Sequence, residues 1–212
     1  MSEVIEITLR SLIISFSATV MSSLWSVPVA LFLSIRESRV SRVIVSFFNS
    51  MVGIPTVVVG LILYMLLSRS GPFGFMEILY TPYAIIIGEA ILVSPWIVSL
   101  SYEVFTKSRS TYWELAISLG ADEFQAYMLM IREAMPDIIV IFLMAFSRAI
   151  GELGVALLVG GNIKGYTRVL TTSIALAVAR GEFELAIALG LMLVLILFTV
   201  FLMVRLLKVY RE

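Results

Sequence analysis

The chain contains no cysteine and no histidine among its 212 residues. Without cysteine it has no disulfide bond and no thiol nucleophile, and without either residue type it lacks the usual ligands of zinc. We therefore expect no metal site, and any catalysis would depend on Ser, Lys, Tyr, Asp and Glu alone. The sequence also lacks a G-x-x-x-x-G-K-[ST] phosphate loop, so ATP hydrolysis by this chain is excluded.

Charged residues are scarce as well. They make up 14% of the chain, hydrophobic residues make up 60%, and the formal net charge is zero. A neutral chain gives no indication of nucleic-acid binding. A soluble domain of this size normally covers its surface with polar and charged residues, whereas a bilayer accepts apolar surface. The composition therefore predicts a protein embedded in the lipid bilayer.

Five apolar segments are long enough to cross the hydrocarbon core, which takes about 20 helical residues. The predicted spans are 12–35, 43–67, 83–105, 137–158 and 183–207. Residues 170–179 are too short to span and are predicted to be re-entrant or interfacial. The start of the chain has two carboxylates and no cleavage site, so we interpret it as the lead-in to the first span. We predict an all-α, polytopic transmembrane helical bundle, with residues 8–205 as a single transmembrane domain.

The distribution of arginine and lysine predicts the orientation, because cytoplasmic loops carry the excess of these residues. One set of connections holds nine of them: Arg36, Arg39, Arg42, Lys107, Arg109, Arg132, Arg205, Lys208 and Arg211. The opposite set holds five: Arg10, Arg69, Lys164, Arg168 and Arg180. We therefore predict that the N-terminus lies outside the cell and the C-terminus lies in the cytoplasm.

The connection between the third and fourth predicted spans, residues 106–136, contains signals for two short helices. Two residue pairs have the spacing of a capping box, Thr111 with Glu114 and Asp122 with Gln125. Gly120 stands between them, where a helix C-terminus favours a residue that tolerates positive φ. Pro136 is expected to open the fourth span, since the first helical turn does not need its N–H. The segment is then a helix–turn–helix at the membrane surface, or else a plain amphipathic linker.

This segment resembles a known motif. Glu114-Leu115-Ala116, followed by Gly120-Ala121, is similar to the "EAA…G" loop of ABC importer permeases. The loop of that family lies between the third-last and second-last spans, as it does here. The resemblance implies that these five residues dock into a groove on an ATPase subunit. The chain departs from the family downstream, where an Ile-x-Leu-Pro sequence is common, because it has Arg132 there and its proline only at 136.

Two further patches are similar to the same family. Residues 53–60 and 70–74 resemble the second span and following loop of molybdate, tungstate and sulfate permeases. Residues 148–154, leading to 160–168, resemble the tungstate-type branch. The resemblance implies a type I permease subunit of an ATP-driven importer in the cell inner membrane. It further implies translocation of a small tetrahedral oxyanion by alternating access, with tungstate the first expected cargo and molybdate or sulfate next.

The resemblance also implies a set of partners. A homodimer of this permease would work with a cytoplasmic ATPase dimer and with an extracytoplasmic oxyanion-binding protein. ATP and Mg²⁺ would be held by the ATPase, so we expect no cofactor on this chain. The chain is then a transport subunit rather than an enzyme.

Three ionisable residues fall within the predicted spans: Glu89, Arg148 and Glu152. A central arginine costs about 2.5–3.5 kcal/mol on insertion scales, so it needs a partner or a water-filled cavity. Glu152 lies one helical turn from Arg148, and Glu89 is expected at a similar depth in the third span. Either the three residues form a structural cluster, or Arg148 lines the anion pathway. The neighbouring Gly151 and Gly154 permit close backbone approach, within the chain or at a subunit interface.

The last candidate site is the polar loop that precedes residues 170–179. Asn162, Lys164, Thr167 and Arg168 offer hydrogen-bond donors suited to an oxyanion or to a docked binding protein. The alternative is a loop that is simply solvated at the membrane face.

Two other classes of function remain open from the residues alone. An ion-coupled secondary transporter could use Glu89 or Glu152, although the sequence shows no obvious internal repeat. An intramembrane hydrolase without His or Cys would need a Ser–Lys dyad, and no lysine lies within a predicted span.

Overall fold

The computed structural model describes residues 2–36 and 38–209, and this part of the chain is built from α-helices joined by short connections. The helices are α1 (Ser2–Ile35), α2 (Arg39–Met51), α3 (Thr56–Leu67), α4 (Pro82–Ser108), α5 (Glu114–Ser118), α6 (Glu123–Ile150), α7 (Gly154–Gly160), α8 (Leu170–Ala179) and α9 (Phe183–Val209). A 3₁₀ turn, Gly74–Met76, precedes α4, and a π-helical turn, Arg109–Trp113, joins α4 to α5. The predicted all-α class is confirmed over these residues.

Helices α1 and α4 form the centre of the bundle and pack along much of their length. The buried face of α1 carries small residues, each at most 2% exposed: Ser11, Ser15, Ala18, Thr19, Ser22, Ser26 and Ala30. Small side chains let helix backbones approach closely inside a membrane. Two of the hydroxyls bond within α1, since Ser11 donates to the Ile7 carbonyl at 2.9 Å and Thr19 to the Ser15 carbonyl at 2.7 Å.

Larger apolar side chains fill two regions around this centre. One lies between α4 and α6 and includes Val93, Ile97, Phe105, Met130 and Ile138. The other joins α1, α3, α4 and α7 through Ile14, Leu63, Ile85, Val155 and Val159. These two regions hold α6 and α7 in place on either side of the break between them.

Three continuous helical stretches are long and apolar enough to cross a membrane: Glu3–Ile35, Pro82–Ser118 and Phe183–Lys208. Two bent helix pairs, α2 with α3 and α6 with α7, satisfy the same criterion as pairs. Counting each bent pair as one crossing gives the five spans that the sequence predicts.

The span predicted over 43–67 is not a single straight helix. Helices α2 and α3 meet at 97° across a four-residue break. Pro55 has a φ of −58° and a ψ of 127°, outside the helical region. Because proline lacks an N–H and also restricts the residue before it, it stops α2 from continuing into α3.

The prediction that Pro136 opens the fourth span is also wrong. Helix α6 begins at Glu123, passes through Pro136 and ends at Ile150, and α7 follows at 59°. A proline inside a long, packed helix removes one hydrogen bond and bends the helix without ending it. The second predicted surface helix is therefore the first half of α6, and the span predicted over 137–158 is divided between α6 and α7.

Helix α8 coincides with the predicted 170–179 segment and packs against α1 and α9. The Leu170 N–H donates to the Ser11 hydroxyl at 2.8 Å. This contact lies about 12 Å along α1 from Glu3, at 1.5 Å of rise per residue. Arg180, just after α8, lines a cavity together with Glu3. A short apolar helix is therefore present where the sequence predicts one, and its assignment as re-entrant or interfacial stays a prediction.

Glycines let α3 and α7 touch within the chain. A Cβ on Gly154 would lie 2.9 Å from the Thr56 hydroxyl oxygen and 3.1 Å from the Val57 nitrogen. A Cβ on Gly60 would lie 3.1 Å from the Val155 Cα. The sequence predicts that Gly154 permits close backbone approach either within the chain or at a subunit interface, and the structure shows a contact within the chain. At Gly151 a Cβ would lie 3.5 Å from the Ser147 carbonyl, one turn back in α6.

We expect Gly154→Ala to destabilise the protein by about 1–3 kcal/mol, because the added methyl group overpacks the contact with α3. The matched control is Gly190→Ala in α9, where a Cβ would meet nothing within 4 Å. The measurement is the thermal unfolding midpoint of each variant purified in detergent. Equal midpoints for the two variants would contradict the close α3–α7 contact.

Candidate functional site

The 106–136 segment is anchored to the bundle where it leaves α4. The Ser108 hydroxyl donates to the Met130 carbonyl of α6 at 2.8 Å, and the Arg109 guanidinium donates to the Ser34 carbonyl at 3.0 Å. Ser34 is next to the last residue of α1, where free carbonyls and the helix dipole favour a cation. The first bond closes the two arms of the segment on each other, and the second ties the segment to α1.

Aromatic contacts continue this anchor. The Arg109 guanidinium lies 5.7 Å from the ring centroid of Trp113, a distance typical of a cation–π contact. The Trp113 ring in turn lies 6.0 Å from the ring of Tyr127 in α6. These contacts link the π-helical turn to the first half of α6.

Gly120 ends α5 in a Schellman motif, as its predicted position between two helices indicates. Its φ is +87°. The Gly120 N–H donates to the Ile117 carbonyl and the Ala121 N–H to the Ala116 carbonyl, both at 3.0 Å, which are the two bonds of that motif. A Cβ here would meet nothing within 4 Å. The requirement for glycine is therefore conformational rather than steric.

One of the two predicted capping boxes is confirmed and the other is wrong. The Gln125 N–H donates to Asp122 Oδ1 at 2.8 Å, and the Asp122 N–H donates to Gln125 Oε1 at 3.1 Å. Thr111 instead donates its hydroxyl to the Lys107 carbonyl at 3.1 Å. Because the chain is helical without interruption from α4 through the π-helical turn into α5, no free N–H group remains there for a cap.

The five residues of the EAA-like motif lie on and just after α5. Ala116 is buried, Glu114, Leu115 and Gly120 are exposed, and Ala121 is half-buried. Beside them the segment presents three large apolar side chains to its surface: Leu115 (52% exposed), Leu119 (79%) and Phe124 (72%). Apolar side chains gathered on an anchored turn form a surface suited to contact with another protein.

Glu152 lies in the break between α6 and α7 and is only 4% exposed. One carboxylate oxygen accepts hydrogen bonds from the backbone N–H groups of Gly154 (2.8 Å) and Val155 (3.2 Å) at the start of α7. The other oxygen accepts from the Arg148 guanidinium at 3.2 Å. Backbone N–H groups at a helix start have no partner in their own helix, so Glu152 satisfies two of them and neutralises Arg148.

Glu89, on α4, is 2% exposed but is held differently. Its side chain interacts with Ser15 of α1 and is close enough to Glu152 for their charges to interact. Its Oε2 atom has no hydrogen-bond partner, and Glu89 forms no ion pair with any residue in the described ranges. The predicted three-residue cluster is therefore an Arg148–Glu152 pair with an unpaired carboxyl group nearby.

The Arg148 side chain is more exposed, at 36%. It faces a small hollow at the α2–α3 break, lined otherwise by apolar and aromatic side chains that include Val52, Pro95 and Trp96. The two interpretations of Arg148 thus concern different parts of one side chain. One edge of its guanidinium pairs with Glu152, and the rest borders the hollow.

The four candidate loop residues lie together but are occupied by contacts within the chain. Thr167 donates to the Gly160 carbonyl at 2.5 Å and accepts from the Ile163 N–H at 2.9 Å. Arg168 donates to the Asn162 side-chain oxygen at 3.2 Å. Lys164 pairs with Glu3 of α1 at 3.0 Å. This loop is more ordered by internal hydrogen bonds than a simply solvated loop would be.

Residues 26–208 match the family described as binding-protein-dependent transport system inner membrane component. This chain belongs to that family. Proteins of this binding-protein-dependent permease family are transport components, and the family implies partnership with a separate ATPase and a substrate-binding protein. The chain is accordingly a multi-pass inner-membrane protein and not an enzyme.

Several similar proteins are permeases for anions. TupB, a tungstate uptake system permease protein from Peptoclostridium acidaminophilum, is 39% identical over 181 residues, covering 85% of this chain and 79% of that protein. A probable anion ABC transporter permease protein from Haloferax volcanii is 36% identical over 183 residues, covering 84% and 79%. The sulfate permease protein CysT from Escherichia coli is 30% identical over 137 residues, covering 61% and 49%. The resemblance that the sequence motifs indicate is confirmed.

The fold is similar to a solved permease-containing structure. A chain of the MetNI methionine ABC transporter, in inward-facing conformations, aligns with a TM-score of 0.72 at 16% identity, covering 98% of this chain and 97% of that one. At this identity the comparison shows the fold alone.

Sequence reasoning missed three contributors to the permease's candidate sites. Ser108 and Arg109 anchor the 106–136 segment, and Glu3 pairs with Lys164. The Glu3 pairing joins residues 161 positions apart, so no local pattern could indicate it. An arginine directly after a long apolar segment is a signal for a helix-end contact, but it does not name the carbonyl of another helix.

We expect the two buried carboxyl groups of the permease to differ in how far replacement by glutamine lowers the stability of the protein. Glu152→Gln should destabilise the protein by about 2 kcal/mol, because it places an amide against the Arg148 guanidinium and removes its counter-charge. Glu89→Gln, of the same shape and with no cation to pair, should change stability by less than about 1 kcal/mol. Thermal unfolding in detergent measures both. A loss at Glu89 as large as that at Glu152 would contradict the different roles of the two groups.

Proposed function

We propose that this chain is the permease subunit of an ATP-driven importer of a small tetrahedral oxyanion, with tungstate as its main cargo. The observation that carries the proposal is the 39% identity to a tungstate permease over 85% of this chain. Similarity to sulfate and molybdenum permeases at lower identity supports the wider oxyanion class. Membership of a binding-protein-dependent family favours this function over an ion-coupled secondary transporter.

The proposed assembly is a homodimer of this permease with a cytoplasmic ATPase dimer and an extracytoplasmic oxyanion-binding protein. Residues 8–205 act as one transmembrane domain, and the N-terminus lies outside. Arg211, one of the nine residues that favour this orientation, is outside the described residues. ATP and Mg²⁺ belong to the ATPase, and this chain holds no cofactor of its own. Translocation proceeds by alternating access.

We assign the ATPase contact to the 106–136 segment, through Glu114, Leu115, Ala116, Gly120 and Ala121. The exposed apolar side chains of this segment supply a surface that a soluble partner can bury. Two long helical stretches, Pro82–Ser118 and α6, meet at its turn. A displacement of the turn by the ATPase therefore moves two helices of the bundle together.

Within the bundle, we assign a structural role to the Arg148–Glu152 pair. Three hydrogen bonds to the Glu152 carboxylate support this assignment, since they fix the start of α7 and one edge of Arg148. The exposed edge of Arg148 borders the hollow at the α2–α3 break and is the part available to a passing anion. The loop residues Asn162, Lys164, Thr167 and Arg168 are proposed to form part of the extracytoplasmic face.

Gly120→Val should impair ATPase association and transport while membrane insertion survives, because valine is strained at a φ of +87°. Gly120→Asn is the matched control, since asparagine tolerates the left-handed region and should retain most of the activity. Co-purification with the ATPase and uptake in cells measure the two effects. Normal assembly and uptake in the valine variant would count against the docking assignment.

The cargo assignment predicts tungstate uptake in a host that lacks its own transporter and receives this permease with its ATPase and binding protein. Unlabelled tungstate should compete more strongly than equimolar molybdate, and sulfate should compete weakly. Selectivity in this order would rest mainly with the binding protein, because tetrahedral oxyanions have similar hydrogen-bond demands. Preference for sulfate, or for a cargo that is not an oxyanion, would overturn the tungstate assignment and leave the family unchanged.

A further inference from the structure

A cavity of about 460 Å³ lies between α1, α8, α9 and the 160–169 loop, at the end of the bundle where α1 begins. It is separate from the 106–136 segment and from the Arg148–Glu152 pair. Its lining combines charged side chains with apolar ones, it includes Lys164 and Arg168 of the loop proposed for the extracytoplasmic face, and the ATPase contact does not use it.

The charged part of the lining carries an excess of one positive charge. It consists of Lys164, Arg168 and Arg180 with Glu3 and Glu182. Both Lys164, at 3.0 Å, and Arg168, at 3.8 Å, direct their charge at the Glu3 carboxylate. Glu3 is therefore already engaged by two cations, and these three residues together retain one positive charge, whereas the charges of Arg180 and Glu182 cancel in the sum.

The Arg180 side chain is exposed and forms no hydrogen bond or ion pair with any residue in 2–36 or 38–209. It is held over the cavity by the backbone, because α8 ends here in a second Schellman motif. The Gly181 N–H donates to the Val178 carbonyl at 3.0 Å, and the Glu182 N–H donates to the Ala177 carbonyl at 2.9 Å. A cation fixed at a helix end beside a cavity is available to an anionic ligand.

The rest of the lining is apolar. Ile7, Leu176, Leu185 and Leu189 contribute to it from α1, α8 and α9. Leu185, at 38% exposed, brings this wall to the surface of α9, and Leu195, at 60%, lies about three turns further along the helix on an adjacent side. An apolar surface of this kind on a membrane-spanning helix faces lipid or another apolar partner.

We propose that this cavity binds the headgroup of an anionic phospholipid, with Arg180 donating to the phosphodiester and an acyl chain lying along α9. A phosphodiester with one negative charge neutralises the excess positive charge of the lining. A free divalent oxyanion would overcompensate that charge and would leave the apolar wall without a ligand. The proposal does not depend on which anion the permease transports.

The test uses the full-length permease, purified in detergent and depleted of lipid. Phosphatidylglycerol, phosphatidylcholine, inorganic phosphate and tungstate are added separately, and the thermal unfolding midpoint and the bound lipid by native mass spectrometry are measured. At about ten times its dissociation constant, phosphatidylglycerol should raise the midpoint by about 3–6 °C. Phosphatidylcholine should bind more weakly, and the two free anions should leave the midpoint unchanged.

Three variants test the charge assignment. Arg180→Gln should weaken phosphatidylglycerol binding about fivefold, since one cation near a lipid surface contributes about 1 kcal/mol. Glu182→Gln removes a carboxylate from the lining and should strengthen binding by a similar factor. Arg69→Gln is the matched control, because this exposed arginine follows α3 outside the cavity and its loss should change nothing.

The outcomes separate the possible sources of the anion. Binding of phosphatidylglycerol that depends on Arg180 and exceeds that of phosphatidylcholine would support the proposal. Stabilisation by phosphate or tungstate with no effect of lipid would overturn it in favour of a free-anion site. Equal binding of both lipids, or equal binding by the Arg180 and Arg69 variants, would also overturn it.

Discussion

The break between α6 and α7 is the constraint on which the rest of the bundle depends. A helix that starts inside a membrane leaves its first backbone N–H groups with no water to bond, so another group must satisfy them. Here the Glu152 carboxylate accepts from two N–H groups of α7 and from Arg148 of α6. One side chain thereby fixes both helix ends, and the start of α7 is positioned to pack against α3 through Gly154.

The helix content and number of crossings follow from the sequence because apolar length alone decides whether a segment can span a bilayer. The interruptions do not follow from it. Pro55 interrupts a helix although it lies within a predicted span, and Pro136 does not although it lies in a predicted connection. The difference lies in the surroundings of each proline, since α6 starts at an intact capping box and packs on α4. Neither the packing nor its strength can be predicted from the residues next to the proline.

In the candidate sites, too, some features could be predicted from the sequence and others could not. Gly120 and the Asp122–Gln125 box could be predicted because their geometry is set by residues within a few positions of each other. The pairing of Arg148 with Glu152 could be predicted from helical spacing, but the capping of α7 could not, because it requires knowing that α6 ends at Ile150. For Glu89, the depth of the residue in its span could be predicted by counting residues along the helix. That no cation in the described residues pairs with it could not be predicted, because this depends on how each helix is rotated about its axis.

Helix α1 is bonded at both ends, so it can transmit a displacement from one end of the bundle to the other. Its 34 residues extend for about 50 Å, the full thickness of a bilayer with its headgroups. At one end Ser34 accepts a hydrogen bond from Arg109 of the 106–136 segment, and at the other Glu3 is paired with Lys164 of the 160–169 loop. A single stiff rod thus touches both faces of the permease. Force applied to the 106–136 segment therefore has a direct route to the 160–169 loop that does not pass through the broken helices.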